Sequence, residues 1–156
     1  MIYWFTGQPC AGKTVLADKL RDFLESRGNY KDSNRRYKVY RIDGDDLRDL
    51  TTNKDYSING RVSNVNTAQK IAHYLHNQGK DVIVSLIAPY VDQREDFKFL
   101  LGKNIKEIYV HTSEPRERDH FKALAYTPPF ENYIDIDTTY DTEEESLEKI
   151  IKAIDS

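Results

Sequence analysis

Short apolar segments alternate with longer amphipathic segments along the chain. The short segments, which are apolar, rich in β-branched residues or alternating, predict strands at 2–6, 37–43, 81–87, 105–111 and 133–137. Helical spacing of apolar residues predicts helices at 13–27, 64–78, 91–101 and 114–124, and a capping box at Thr142–Glu145 predicts the start of a last one. Because strands and helices alternate, we expect a parallel α/β sheet with helices on both faces.

Composition narrows the class of protein. The 156 residues predict a single domain over 1–156, and 38% hydrophobic with 31% charged residues are typical of a globular chain. A net charge of −3 argues against nucleic acid or an anionic membrane as partner. One cysteine excludes an internal disulfide framework. The sequence shows no secretion signal and no membrane span, so we expect a cytoplasmic protein.

One motif with specific chemistry follows the first predicted strand. Residues 7–14 read G-Q-P-C-A-G-K-T, which matches the phosphate-binding loop pattern G-x-x-x-x-G-K-[ST] between a strand and a helix. Its glycines allow backbone N–H groups to approach phosphate oxygens, its lysine reaches the β- and γ-phosphates, and its threonine hydroxyl can ligate Mg²⁺. The candidate ATP-binding residues are Gly7, Gln8, Pro9, Cys10, Ala11, Gly12, Lys13 and Thr14.

An acidic cluster follows the second predicted strand, as Asp43-Gly-Asp45-Asp46-Leu-Arg48. A carboxylate here can hold Mg²⁺ or take a proton from an acceptor hydroxyl, and Arg48 can clamp an acceptor phosphate or sulfate. A helix N-cap followed by a solvated arginine would give the same pattern. The guanine motif of GTPases is absent, and the strand at 81–87 ends in Ala88-Pro89 without a carboxylate, so a small-molecule kinase is favoured.

Several motifs together resemble adenylylsulfate (APS) kinase, which phosphorylates the 3′-hydroxyl of adenosine 5′-phosphosulfate with ATP. The similarity lies in F-T-G-Q-P-C-A-G-K-T at 5–14, D-G-D-D-L-R at 43–48, R-V-S-N at 61–64, L-I-A-P-Y at 86–90 with Arg94, and the R-D pair at 118–119. The resemblance implies a P-loop NTPase-type fold: a three-layer α/β/α domain whose five-stranded parallel sheet has the order 2-3-1-4-5. It implies the reaction ATP + APS → ADP + PAPS (3′-phosphoadenosine 5′-phosphosulfate), with Mg²⁺.

The resemblance also implies roles for individual residues. Lys13, Asp45 and Asp43 would be catalytic, with Asp45 as general base or metal-side carboxylate, and Thr14 with Asp45 would hold the metal. Arg118 would lie against the ATP adenine. Candidate APS-binding residues are Arg48, Tyr56, Arg61, Asn64, Ile87, Ala88, Pro89, Lys122 and Phe130, with Tyr126 as the alternative to Phe130 for the lid aromatic. Family members are often dimers, which leaves a homodimer open.

The chain also departs from the family pattern. Ala88 replaces a serine, Gly60 replaces an aspartate before the first pocket arginine, and Asn66-Thr67 replace two basic residues. The segment around Tyr56 is two residues shorter, and the lid at about 114–132 is short. Two alternatives therefore remain: a kinase of another small, nucleotide-like acceptor, and a non-catalytic relative that binds nucleotide.

Overall fold

The fold places five parallel strands in one sheet. The computed structural model describes residues 1–9, 11–28, 37–114 and 125–156. Within them the strands are β1 (Ile2–Thr6), β2 (Val39–Asp43), β3 (Asp81–Ser85), β4 (Ile105–His111) and β5 (Tyr133–Asp137). All adjacent pairs are parallel, and the order β2-β3-β1-β4-β5 confirms the predicted topology.

Helices cover both faces of the sheet. They are α1 (Lys13–Arg27), α2 (Gly44–Thr51), α3 (Ile58–Asn77), α4 (Val91–Leu101) and α5 (Glu143–Asp155). Leu16 and Leu20 of α1 and Ile150 of α5 pack with Phe5 and Ile108 on one face. The opposite face buries α3 and α4 against the sheet through residues that include Val65, Ala68, Phe97, Trp4 and Val84. The three-layer architecture expected from the sequence is confirmed.

Some boundaries differ from the prediction for physical reasons. Helix α3 begins at Ile58 rather than Asn64, because Ser57 caps it and its first turns are polar and show no apolar period. Helix α2 follows β2 directly, with the Asp43 carboxylate accepting a hydrogen bond from the N–H of Asp45. Strand β3 ends at Ser85, two residues early, and β2 begins at Val39. The helix predicted at 114–124 falls almost wholly outside the described residues.

The carboxyl ends of the strands lie at one edge of the sheet, where parallel α/β folds bind ligands. The segments that follow β1, β2 and β3 are the phosphate loop, the acidic cluster and residues 86–90. No helix of the described residues is long and apolar enough to cross a membrane.

Candidate active site

A cavity of about 280 Å³ opens at this edge of the sheet. It brings together twelve of the residues selected from the sequence: Pro9, Lys13, Thr14, Asp43, Asp45, Arg48, Tyr56, Arg61, Asn64, Ile87, Ala88 and Pro89. It is also lined by residues that the sequence did not single out, Val15, Gly44, Val65, Ser85 and Leu86. The phosphate loop and the candidate acceptor-binding residues therefore share one cavity.

The phosphate loop is shaped by a close approach of backbones. Gly7 has φ 147°, and a Cβ there would stand 2.1 Å from the carbonyl oxygen of Val110 in β4. A side chain at position 7 would force the loop off the sheet edge. Helix α1 starts at Lys13, so its N-terminal amides and the positive end of its dipole lie at the loop. The Lys13 ammonium donates a 2.7 Å hydrogen bond to the Gln8 carbonyl, which holds the charge over the loop.

Thr138, which sequence reasoning missed, supports the loop from the other side. Its hydroxyl donates to the Ala11 carbonyl at 2.9 Å and lies 3.2 Å from the His111 carbonyl, which also accepts from the Thr138 N–H at 2.8 Å. Thr138 thus ties the phosphate loop to the ends of β4 and β5. Its position directly after the fifth predicted strand, at the same sheet edge, was a signal that could have identified it.

Asp43 is the centre of a hydrogen-bond network between the loop and the cavity. Its Oδ1 accepts from the Thr14 hydroxyl at 3.2 Å and from the Ser85 hydroxyl at 2.8 Å, while Oδ2 accepts from the N–H of Asp45 at 3.1 Å. These bonds fix the orientation of the carboxylate. Asp45 also lines the cavity but is an exposed residue, in the first turn of α2.

Arg41 supports Asp43 from within β2, and it too was missed. Its Nη2 donates to the Ser85 hydroxyl at 3.1 Å and lies 3.9 Å from Asp43 Oδ1, while its Nε donates to Asp18 of α1 at 2.9 Å. Arg41 and Asp43 are two residues apart on a strand, and Ser85 is the register partner of Asp43. The period of two places such residues on one face, so the pairing was detectable from the sequence.

Two arginines and a tyrosine that the sequence predicts to bind the acceptor lie together in the lining of the cavity. Nη1 of Arg48 donates to the Asn53 carbonyl at 3.1 Å and to the Asp55 carbonyl at 3.0 Å, and its guanidinium lies 4.1 Å from the centre of the Tyr56 ring. Arg61 donates from Nε to the Tyr56 carbonyl at 2.9 Å, with its guanidinium 5.9 Å from the same ring. The short 53–57 segment is therefore held by the side chains predicted to bind substrate.

The start of α3 has an unusual cap. Ser57 is its N-cap, and the N–H of Ser57 donates to Asp55 Oδ1 at 2.8 Å. In a capping box, an acidic side chain three residues after the N-cap accepts that bond, and that position is Gly60. A Cβ on Gly60 would stand 2.0 Å from the Asp55 carbonyl oxygen and 2.5 Å from its Cγ. Hydrogen bonding by the Ser57 side chain and backbone lowers the pKa of Asp55.

Asn64 lines the cavity and carries a hydrogen-bond acceptor that is unsatisfied among the described residues. The side chain is 7% exposed, and its Nδ2 lies 3.5 Å from the Gly44 carbonyl. Within the described part of the chain, its Oδ1 is buried with no hydrogen-bond partner. An unsatisfied buried acceptor costs free energy, on the order of 1–3 kcal/mol.

The cavity wall after β3 has a strained backbone. Ala88, at the position of the family's serine, has φ 45° in the left-handed region that a residue with a Cβ seldom adopts. The backbone carbonyl of the neighbouring Ile87 accepts a 2.8 Å hydrogen bond from the hydroxyl of Thr6 in β1. Residues 87–89 are therefore held in a defined shape where they line the cavity.

Not every predicted residue reaches the cavity. Phe130 is 69% exposed and does not line it, and Gly7, Gln8, Ala11 and Gly12 build the loop without lining it. Tyr126 packs beside Arg94 and Tyr109, with its hydroxyl 3.0 Å from that of Thr6, and burial raises its pKa to about 12. Cys10, Arg118 and Lys122 lie outside the described residues, so their roles remain predictions.

The oxygen ligands near the phosphate loop fit Mg²⁺. Thr14 Oγ1 and the Asp43 carboxylate are 3.2 Å apart, and Asp45 lines the same cavity. Magnesium in phosphoryl-transfer sites is held by one or two protein oxygens together with substrate phosphates and waters. The described residues hold no cluster of three or more acidic, histidine or cysteine side chains suited to a metal.

Comparison with known proteins identifies the family. The sequence model described as Adenylylsulphate kinase matches residues 1–146. The chain belongs to this family. The family and the enzyme class predicted from the sequence, a small-molecule kinase, are therefore confirmed.

Individual relatives of this adenylylsulfate kinase family member cover nearly the whole chain. The adenylyl-sulfate kinase of Clostridium acetobutylicum is 26% identical over 170 residues, covering 97% of this chain and 81% of the relative. That of Rippkaea orientalis is 31% identical over 166 residues, covering 94% and 87%. The structure of a Mycobacterium tuberculosis APS kinase in complex with AMPPNP and APS matches with a TM-score of 0.78 at 21% identity, covering 99% of this chain and 97% of that chain. The structural match confirms the P-loop kinase fold.

Proposed function

We propose that the protein transfers the γ-phosphoryl group of ATP to the 3′-hydroxyl of adenosine 5′-phosphosulfate, giving PAPS and ADP. The observation that carries this proposal is the single cavity that joins Lys13 and Thr14 of the phosphate loop to Arg48, Arg61 and Asn64. A kinase requires both substrates in one water-poor site with the reacting atoms aligned. The family relationship supports APS as the acceptor.

On the ATP side, the chain provides positive charge at the phosphate loop. The loop amides at the start of α1 would bind the β- and γ-phosphates, and Lys13 would move from the Gln8 carbonyl to the phosphate oxygens. Mg²⁺ held beside Thr14, Asp43 and Asp45 would neutralise charge on the phosphates when bound. The Ser85 hydroxyl orients the Asp43 carboxylate, which would in turn keep the Thr14 hydroxyl in place.

On the acceptor side, the chain provides cations and a proton acceptor. Arg48 and Arg61 would bind the phosphosulfate, and their stacking on Tyr56 would present that ring beside the adenine. Asp45 would take the proton of the 3′-hydroxyl as its oxygen bonds to the γ-phosphorus and the bond to the ADP oxygen breaks.

Initial-rate measurement of ADP release tests this proposal. ADP release that rises with APS supports it, with Lys13→Ala as the inactive control. A higher kcat/KM with a different nucleotide-like acceptor would instead indicate a change of substrate. Asn66 and Thr67, which stand where the family pattern has two basic residues, would then be part of that change. Nucleotide binding without transfer to any acceptor would indicate the non-catalytic alternative. A homodimer and a cytoplasmic location stay predictions from the sequence.

A further inference from the structure

Arg94 of α4 is a buried cation outside the lining of the cavity. It is 2% exposed, and its Nε pairs with Glu107 of β4 at 2.9 Å, a residue that is 1% exposed. Its Nη1 donates to the carbonyl of Ala88, and its Nη2 donates to the carbonyl of Thr127. The guanidinium also lies 5.1 Å from the centre of the Tyr126 ring. One side chain thus contacts a strand, the cavity wall and the 126–127 segment.

Charge balance alone does not explain this arginine. Burying an ion pair costs desolvation energy that the pairing does not reliably recover. Glu107 is also paired with Lys98, at 2.6 Å, so a cation is present for it without Arg94. What Arg94 adds is a planar fork that reaches two backbone carbonyls while one nitrogen still holds the carboxylate.

The two carbonyls belong to two segments that meet at the wall of the cavity. Ala88, with its φ of 45°, is strained, and residues 87–89 line the acceptor part of the cavity. The N–H of Thr127 donates to the Pro89 carbonyl at 3.0 Å, so segment 126–127 lies directly against this wall. Thr6 contacts both the 87–89 wall and the 126–127 segment, since its hydroxyl lies within hydrogen-bond distance of the Ile87 carbonyl and the Tyr126 hydroxyl.

We propose that Arg94 is a positioning residue that fixes the 87–89 wall for the acceptor by bridging the carbonyls of Ala88 and Thr127. This inference rests on the proposed function for the identity of the acceptor. It makes the effect of Arg94 specific to one substrate: ATP meets the phosphate loop, which Arg94 does not touch. Loss of the bridge therefore weakens acceptor binding and leaves the KM for ATP unchanged.

Arg94→Lys and Glu107→Gln separate positioning from general stability. Lysine keeps a cation for Glu107, but a single ammonium cannot hold both carbonyls in the geometry of the fork. We expect Arg94→Lys to raise the KM for APS about tenfold, as the loss of charged hydrogen bonds implies, with the KM for ATP within twofold of wild type. Glu107→Gln removes the carboxylate that pairs with buried Arg94, so it should lower the Tm. It leaves both carbonyl bonds of Arg94 in place, so the KM for APS should stay within twofold of wild type.

Hydrogen exchange gives a readout that does not depend on the acceptor. Exchange of the Thr127 amide, which bonds Pro89, should accelerate about tenfold in Arg94→Lys and stay near wild type in Glu107→Gln. If Arg94→Lys does not fold, Arg94→Gln replaces it, because Lys98 still pairs with Glu107. An unchanged APS KM and Thr127 exchange rate in the folded variant would overturn the proposal, as would an equal effect of Glu107→Gln. If wild type does not phosphorylate APS, the proposed function fails, and the exchange rates still decide whether Arg94 holds the wall.

Discussion

The carboxyl carbon of Asp55 lies 2.5 Å from the point at which a Cβ on Gly60 would stand. The Asp55 carboxylate also accepts the bond from the N–H of Ser57 that an acidic residue at position 60 would accept in a capping box. The family pattern has an aspartate at this position, and the preceding segment is two residues longer. In this chain the shorter segment brings Asp55 into that volume, and the same segment holds Arg48 through the Asp55 carbonyl.

Gly60→Ala should destabilise the protein and weaken acceptor binding. The new Cβ would meet the Asp55 carbonyl, which is backbone and cannot rotate away, so the 53–57 segment must shift and break its bond to Arg48. We expect a loss of about 1–3 kcal/mol in the free energy of unfolding, as for overpacking, and a raised KM for APS. Denaturant unfolding and initial rates measure both, with the exposed neighbour variant Asn59→Ala as control. A wild-type free energy of unfolding and a wild-type KM in Gly60→Ala would show that the segment is not tightly packed here.

Asp55 should contribute stability that depends on pH. Because its hydrogen bonds lower its pKa in the folded state, its contribution is present above the unfolded pKa of about 3.9 and is lost as the pH falls through the folded value. The Tm difference between wild type and Asp55→Ala should be constant from pH 7 to pH 5 and shrink below about pH 3.9. Asp55→Asn retains an acceptor oxygen but does not titrate, so its difference from Asp55→Ala should not vary with pH. A wild-type difference that grows in acid would contradict the assigned bond.

The local sequence patterns predicted the fold because the segments that carry them are the strands and helices of the folded sheet. Ile105–His111 and Tyr133–Asp137 are strands with the predicted bounds, and the capping box at Thr142–Glu145 starts α5 as expected. The early start of α3 was missed because a helix turn supported by Ser57 and Asp55 needs no apolar period.

Lys13→Ala should abolish phosphoryl transfer. The ammonium stabilises the negative charge that builds on the phosphate oxygens in the transition state, so transfer should fall to background, at least about a hundredfold below wild type. Lys19→Ala is the matched control, since Lys19 is on the same helix and pairs with Glu144 at the surface. Quantification of ADP release from both variants tests the prediction, and near-normal turnover of Lys13→Ala would exclude the site.

Asp45→Asn and Asp43→Ala should fail in different ways. Removal of a general base lowers kcat by about a hundredfold or more with little change in the KM for ATP. Asp43→Ala also releases Thr14, Ser85 and the start of α2, so it should lower the Tm and raise the KM for ATP as well. Asp46→Asn, exposed and next in sequence, is the control. A pure ATP-affinity defect in Asp45→Asn would assign Asp45 to the metal alone.

The candidate site was more predictable where a motif names its residues than where backbone contacts build it. Lys13, Asp43 and Arg48 were selected because their spacing carries chemistry, and they line one cavity. Arg94 bonds carbonyls 6 and 33 residues away, which no periodicity reveals. Its lack of exposure was equally hidden, because a charged residue is expected at the surface.

Formation of PAPS is the most direct test of the proposed reaction. Wild-type protein with ATP, Mg²⁺ and APS should release ADP and PAPS in equal amounts, with the new phosphate on the 3′-oxygen, and Lys13→Ala should release neither. ADP that forms without PAPS, or a rate of ADP release that does not respond to APS while nucleotide still binds, would contradict the account.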